Sequence, residues 1–168
     1  MYSRFVLSLG LSGLCFIAAA QPVMDHNPSR LGIQGAMATG GNLGIGVVNF
    51  TDMTELGVTV SGSINNASNE TQTITPVIFG GLRKSLGERT YFAYGIDLAG
   101  TYGHKNGLKI NSDYGVGPYI SIEQMLTKHV MLAAWIQPYQ YQYEKIGGQS
   151  ITTNNFFSTG GIGINYLF

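Results

Sequence analysis

The 168-residue chain carries nine basic and nine acidic residues, and its 24 glycines and ten tyrosines stand beside only 11% charged residues. After the first twenty residues the balance is eight basic against nine acidic, a formal charge of −1, which offers no field for nucleic acid. The single cysteine, Cys15, lies in the opening apolar run, so the remainder has neither a disulfide framework nor thiol chemistry.

Residues 1–20 combine Arg4, an apolar run from Phe5 to Ile17 and the triplet Ala18-Ala19-Ala20. These are the parts of a secretory signal peptide, with cleavage expected before Gln21. Cys15 follows Ser12-Gly13-Leu14 and lacks the small residue that precedes a lipidated cysteine. Residues 21–30 are polar, contain two prolines and read as a short lead-in. No later window holds eighteen consecutive apolar residues, so a membrane-spanning fold would have to be a closed barrel of strands.

From Leu31 the hydrophobic period is two. Leu31, Ile33, Gly35 and Met37 share one face against Gly32, Gln34 and Ala36. After Thr39-Gly40-Gly41-Asn42, Leu43, Ile45 and Val47 oppose Gly44, Gly46 and Val48. A turn around Asp52 leads to Leu56, Val58, Val60, Gly62 and Ile64, opposed by Gly57, Thr59, Ser61 and Ser63. The fourth segment sets Ile74, Pro76, Ile78, Gly80 and Leu82 against Thr73, Thr75, Val77, Phe79 and Arg83; Pro76 predicts a bulge or a weakened ladder. Past Gly87, Phe92, Tyr94, Ile96, Leu98 and Tyr102 face away from Tyr91, Ala93, Gly95, Asp97 and Ala99.

A loop is expected over His104 to Asn111, followed by Tyr114, Val116, Pro118, Ile120 and Ile122 against Asp113, Gly115, Gly117, Tyr119, Ser121 and Glu123. The seventh segment, past Lys128, is apolar on both faces from Val130 to Ile136, and Pro138 is placed to reset its register through a bulge. It ends on Tyr139, Tyr141 and Tyr143, interleaved with Gln140, Gln142 and Glu144. Lys145 to Asn154 reads as the longest polar loop. The last segment puts Ile162, Ile164, Tyr166 and Phe168 opposite Thr159, Gly161, Gly163, Asn165 and Leu167.

Eight such segments, each apolar on one side and ending in Tyr166-Leu167-Phe168, resemble the small eight-stranded bacterial outer-membrane β-barrels, the family of OmpX, the OmpA membrane domain and the opacity-like surface antigens. The resemblance implies an all-β, antiparallel up-and-down transmembrane barrel over residues 31–168. It also implies a periplasmic lead-in at 21–30 and a terminal strand that the barrel assembly machinery reads through Tyr166 and Phe168. Outer-membrane lipid and lipopolysaccharide would cover the apolar face. Surface loops near Thr39, Asn65, Lys105 and Gly147 would meet host or envelope ligands.

Tyr139, Tyr141 and Tyr143 then fit one interfacial aromatic girdle, and Phe92, Tyr166 and Phe168 the other. Inside, Phe79, Arg83, Tyr91, Tyr119 and Glu123 must compensate for many small residues. Arg83 and Glu123, with Tyr91 between them, are expected to form a lumenal ion pair acting as a plug or a selectivity element. Asp97, Asp113 and Glu144 are expected in an upper, wetter lumen. His26, His104 and His129 fall in different connections and match no triad, zinc set or acyl-modifying pair, so no catalytic, metal or cofactor residue is expected. A non-enzymatic structural or surface-interaction barrel is the leading reading, a narrow pore the second and a lipid A acyl-modifying enzyme the third.

Overall fold

The computed structural model describes residues 29–39, 41–65 and 71–168. The expected signal peptide, the lead-in up to Pro28 and the loop at 66–70 lie outside them. The strands are β1 (Arg30–Ala38), β2 (Leu43–Phe50), β3 (Thr54–Asn65), β4 (Thr71–Ser85), β5 (Thr90–Gly100), β6 (Tyr102–Lys105), β7 (Leu108–Met125), β8 (Val130–Ile146) and β9 (Gln149–Leu167). Each pairs antiparallel with its neighbours, and β9 returns to β1 with Ile33 opposite Tyr166 and Met37 opposite Ile162. The sheet is therefore a closed barrel without a free edge along that seam.

β5 and β6 are two parts of one stave, because both pair with β4 in a single register, Val77 opposite Ala99 and Ile74 opposite Tyr102. Counted so, the barrel has eight staves, as the sequence pattern predicts. The gap falls beside Pro76, which has no N–H to give, while the β3–β4 ladder runs through Val60–Pro76 without a shift. Of the two expectations at Pro76, the weakened ladder is what occurs and the bulge does not.

Around β8 the register does slip. Val116 faces Tyr141 but Ile120 faces Ile136, so β8 has one extra residue there, and β9 in turn has one more than β8 between Thr159 and Phe156. The lumenal parity of β8 flips across Pro138, from Met131, Ala133 and Gln137 below to Gln140 and Gln142 above.

Two expected loops are corrected. His104–Asn111 and Lys145–Asn154 are mostly strand: the chain reverses at Asn106-Gly107 (φ 55° and 74°) and at Gly147-Gly148 (φ 56° and 88°), two-residue hairpin turns that need left-handed backbone. The Asn-Gly pair was a legible signal for the first. As a result β7, β8 and β9 run 18, 17 and 19 residues. About ten residues span a bilayer as a tilted strand, so these three continue past one rim as a twisted extension. β1 begins at Arg30, one residue before the expected start.

The two rims differ. At the lower rim, with the turns at 51–53, 86–89 and 126–129, the backbone closes on itself: Phe168 N donates to Leu31 O at 2.9 Å, and the His129 ring stacks on Tyr166. The outward face between the rims is mostly apolar, with Leu31, Ile45, Leu56, Ile78, Ile96 and Ile164 all more than half exposed to the surroundings. Those side chains suit a hydrocarbon solvent, and the closed ladder satisfies the backbone that such a solvent cannot.

Candidate functional site: a lumenal ion pair and a polar cavity

Strand register places inward residues in rows across neighbouring staves. One row runs Phe50, Glu55, Gly81, Gly95 and Tyr119; the row next to it runs Val48, Gly57, Phe79, Asp97 and Gly117. Large side chains lie across the glycines of their own row. Tyr119 reaches over Gly95 and Gly81 to donate its hydroxyl to Glu55 Oε1, and a Cβ on Gly81 would sit 2.5 Å from the Tyr119 oxygen. Phe79 lies over Gly57, and Trp135 over Gly161. Small residues facing the lumen are the seats of these rings, which is how a narrow barrel fits aromatics at interior packing density.

Arg83 and Glu123 meet in the lower lumen. Arg83 Nε donates to Glu123 Oε2 at 2.8 Å and Nη2 lies 2.6 Å from the same oxygen, with both side chains almost fully buried. Nη1 donates to the Thr51 carbonyl at 2.6 Å, and the guanidinium stacks 4.2 Å from the Tyr91 ring centroid and 4.8 Å from that of Phe50. Around them Val48, Phe50, Met125, Met131 and Leu167 form the buried apolar cluster, with Phe79 and Tyr91 against it. This assembly packs the lower lumen.

Above it lies a cavity of about 310 Å³, bounded by Glu55, Glu123, Phe50 and Asn165 below and reaching Thr39 and Asn42 at the upper rim. Asp97 lines this cavity, is 9% exposed, and accepts from Gln137 Nε2 on both its oxygens at 2.6 Å. Asp113 and Glu144 do lie higher, Asp113 accepting from Gln142 Nε2 at 3.2 Å and Glu144 paired with Lys105 at 2.7 Å on the extension.

Tyr139, Tyr141 and Tyr143 stand on the outer side of upper β8, where Tyr139 packs on Phe156 and Tyr143 stacks on Tyr114 at 5.1 Å. Phe92, Tyr166 and Phe168 stand on the outer side near the lower rim, Tyr166 between His129 and Phe168. His104 and His129 lie at opposite rims; His26 is outside the described residues. Among the described residues no three acids, histidines or cysteines are grouped to hold a metal ion.

Sequence reasoning passed over Glu55, Trp135 and Gln137, and placed Asn165 on the inward face of the last segment without giving it a role. Glu55 directly precedes the clear alternation of β3, and its parity already placed it inward. Trp135 sits where β8 is apolar on both sides, so periodicity carried no signal for it.

A closed antiparallel barrel of eight staves, apolar outside and filled inside, is the fold of the small outer-membrane β-barrels. Neither a family model nor a curated protein sequence matches the chain. Among solved structures, outer membrane protein H (OprH) of P. aeruginosa superposes with a TM-score of 0.58 at 14% identity, covering 84% of this chain and 100% of that one. Neisserial surface protein A (NspA) gives 0.50 at 13% identity over 83% and 96%, and OprG of Pseudomonas aeruginosa gives 0.50 at 12% over 88% and 99%. At these identities the likeness is one of fold.

Proposed function

We propose that the chain is a non-enzymatic protein of a bacterial outer membrane with a structural or surface-interaction role, its lumen plugged at the periplasmic end. The observation that carries this reading is the buried Arg83–Glu123 pair set in the apolar cluster of Val48, Phe50, Met125, Met131 and Leu167. Such a floor leaves the extended upper strands as the part that other molecules meet. Both described chain ends lie at the lower rim, which this reading puts in the periplasm after signal removal before Gln21. Lipid and lipopolysaccharide then face the outward side chains, the two aromatic groups lie at its two interfaces, and Tyr166 and Phe168 engage the assembly machinery. The extension of β7, β8 and β9 projects outward, where it would contact host or envelope ligands.

Planar-bilayer conductance of the mature chain tests the plug, with Arg83→Ala beside it. The expected result is silence from an inserted, correctly folded wild-type barrel. Reproducible steps from the unmodified protein would overturn the reading in favour of a narrow pore, and a larger step in Arg83→Ala would locate the constriction. The polar cavity reaching the upper rim is the observation that favours this second reading.

A further inference from the structure

We propose that the lumenal cavity binds a neutral pyranose, with one face of the sugar ring laid on Trp135. This goes beyond the plug and stands whether or not the lumen conducts.

Trp135 is the only tryptophan of the chain, and it is partly exposed in the cavity wall. Its six-membered ring is seated on glycines of β9. A Cβ on Gly161 would lie 2.5 Å from Cζ2 and 2.7 Å from Cη2, and one on Gly163 would lie 3.6 Å from Cζ3. An indole held against backbone in this way offers the cavity a flat apolar surface with a polar N–H at its edge.

The polar groups beside it lack partners. Gln34 is 7% exposed and Ser121 6% exposed, both line the cavity, and neither side chain has a hydrogen bond among the described residues. Unlike the sealed amide of Asn165, their polar atoms keep open surface, as does the unpaired indole N–H of Trp135. Gln34 Nε2 comes within 3.3 Å of the same Gly163 Cβ position, so its amide lies next to the indole. Ser121 is directly opposite Trp135 in the β7–β8 ladder. Gln137, two residues further along β8, donates through one nitrogen to both oxygens of Asp97, and that carboxylate keeps lone pairs for other donors. Glu55 and Glu123 are engaged by Tyr119 and Arg83 and take no part.

This set of groups selects the ligand. An acyl chain would leave Gln34, Ser121 and Asp97 unmet, which weakens any complex it forms. Among the described residues the cavity lining contains three acids and no basic side chain, which turns away anions, and no three acids, histidines or cysteines are grouped as metal ligands. Sugar hydroxyls each donate and accept, so one ring can serve an amide, a hydroxyl, an indole N–H and a carboxylate while its C–H face covers the indole. A volume of about 310 Å³ lies at the small end of ligand pockets, which run from about 300 to 1,000 Å³, and suits one ring rather than a chain of them.

Equilibrium dialysis of the full mature chain tests the site, in a zwitterionic detergent that carries no sugar, with radiolabelled D-glucose, D-galactose and D-mannose as probes. Saturable binding of at least one is expected, displaced by the same unlabelled sugar. Sorbitol, which has the hydroxyls without the ring, and tetrahydropyran, which has the ring without the hydroxyls, should not displace it. Trp135→Leu should weaken binding by about fivefold or more through the lost stacking surface. Gln34→Leu and Ser121→Ala should each weaken it by about threefold or more, the scale of one neutral hydrogen bond. Gel mobility before and after heating shows which variants are folded, and the two smaller changes carry the test if Trp135→Leu is not. Glu144→Gln, on the extension, should bind as the wild type does. No saturable binding of any of the three sugars, equal displacement by sorbitol or tetrahydropyran, full affinity in the folded lumenal variants, or loss in Glu144→Gln would each overturn the proposal.

Discussion

Replacing Arg83 by alanine removes the centre of the lower lumen. Glu123, 1% exposed, loses two contacts of 2.8 and 2.6 Å, and the Thr51 carbonyl loses its donor. Tyr91 and Phe50 lose the cation stacked on them. A carboxylate left in such a place has neither water nor a counter-ion. Breaking one side of a buried pair costs about 3–5 kcal/mol, and we expect Arg83→Ala to fall in that range. Removing both charges is a different perturbation: Arg83→Met with Glu123→Gln leaves no orphaned ion, and should recover about half of the loss or more. Urea unfolding in lipid vesicles, followed by Trp135 emission, measures both. A single variant within about 1 kcal/mol of wild type, or a double variant no better than the single, would refute the account of the pair as a mutually dependent plug.

Gly81→Ala should cost about 1–3 kcal/mol in the same assay, because its Cβ would lie 2.5 Å from the Tyr119 hydroxyl and 2.6 Å from the Tyr94 carbonyl, which cannot rotate away. Gly107→Val should lower the unfolding midpoint and expose the β6–β7 hairpin to limited proteolysis, since φ of 74° is strained for a β-branched residue. Lys105→Ala should change stability by less than about 1 kcal/mol, because its pair with Glu144 is solvent-screened on a half-exposed side chain.

Much of the barrel was legible because a membrane wall imposes a strict rule on each strand. An outward residue must be apolar and an inward one cannot be both large and repeated, so parity could be read from Leu31 to Ile64 and from Phe92 to Glu123 without knowing any partner. Where both faces of a strand are apolar, as from Val130 to Ile136, the rule is silent. There the structure assigned Trp135 to the lumen. The polar stretches at His104–Asn111 and Lys145–Asn154 read as loops because strands beyond a bilayer need no apolar face, although their backbone ladder continues.

The sequence by itself determined the closed all-β architecture, the number of staves and the side on which Arg83, Tyr91, Asp97 and Glu123 fall, because these depend only on a period of two along each segment. Which of those residues meet was decided by tertiary structure. Contact across a lumen depends on register and stagger between strands far apart in sequence: Tyr119 reaches Glu55 over two glycines on intervening staves, and Asp97 meets Gln137 only through the positions that closure brings face to face. Periodicity carries no record of stagger, since sliding one strand by two residues preserves every face and changes every partner.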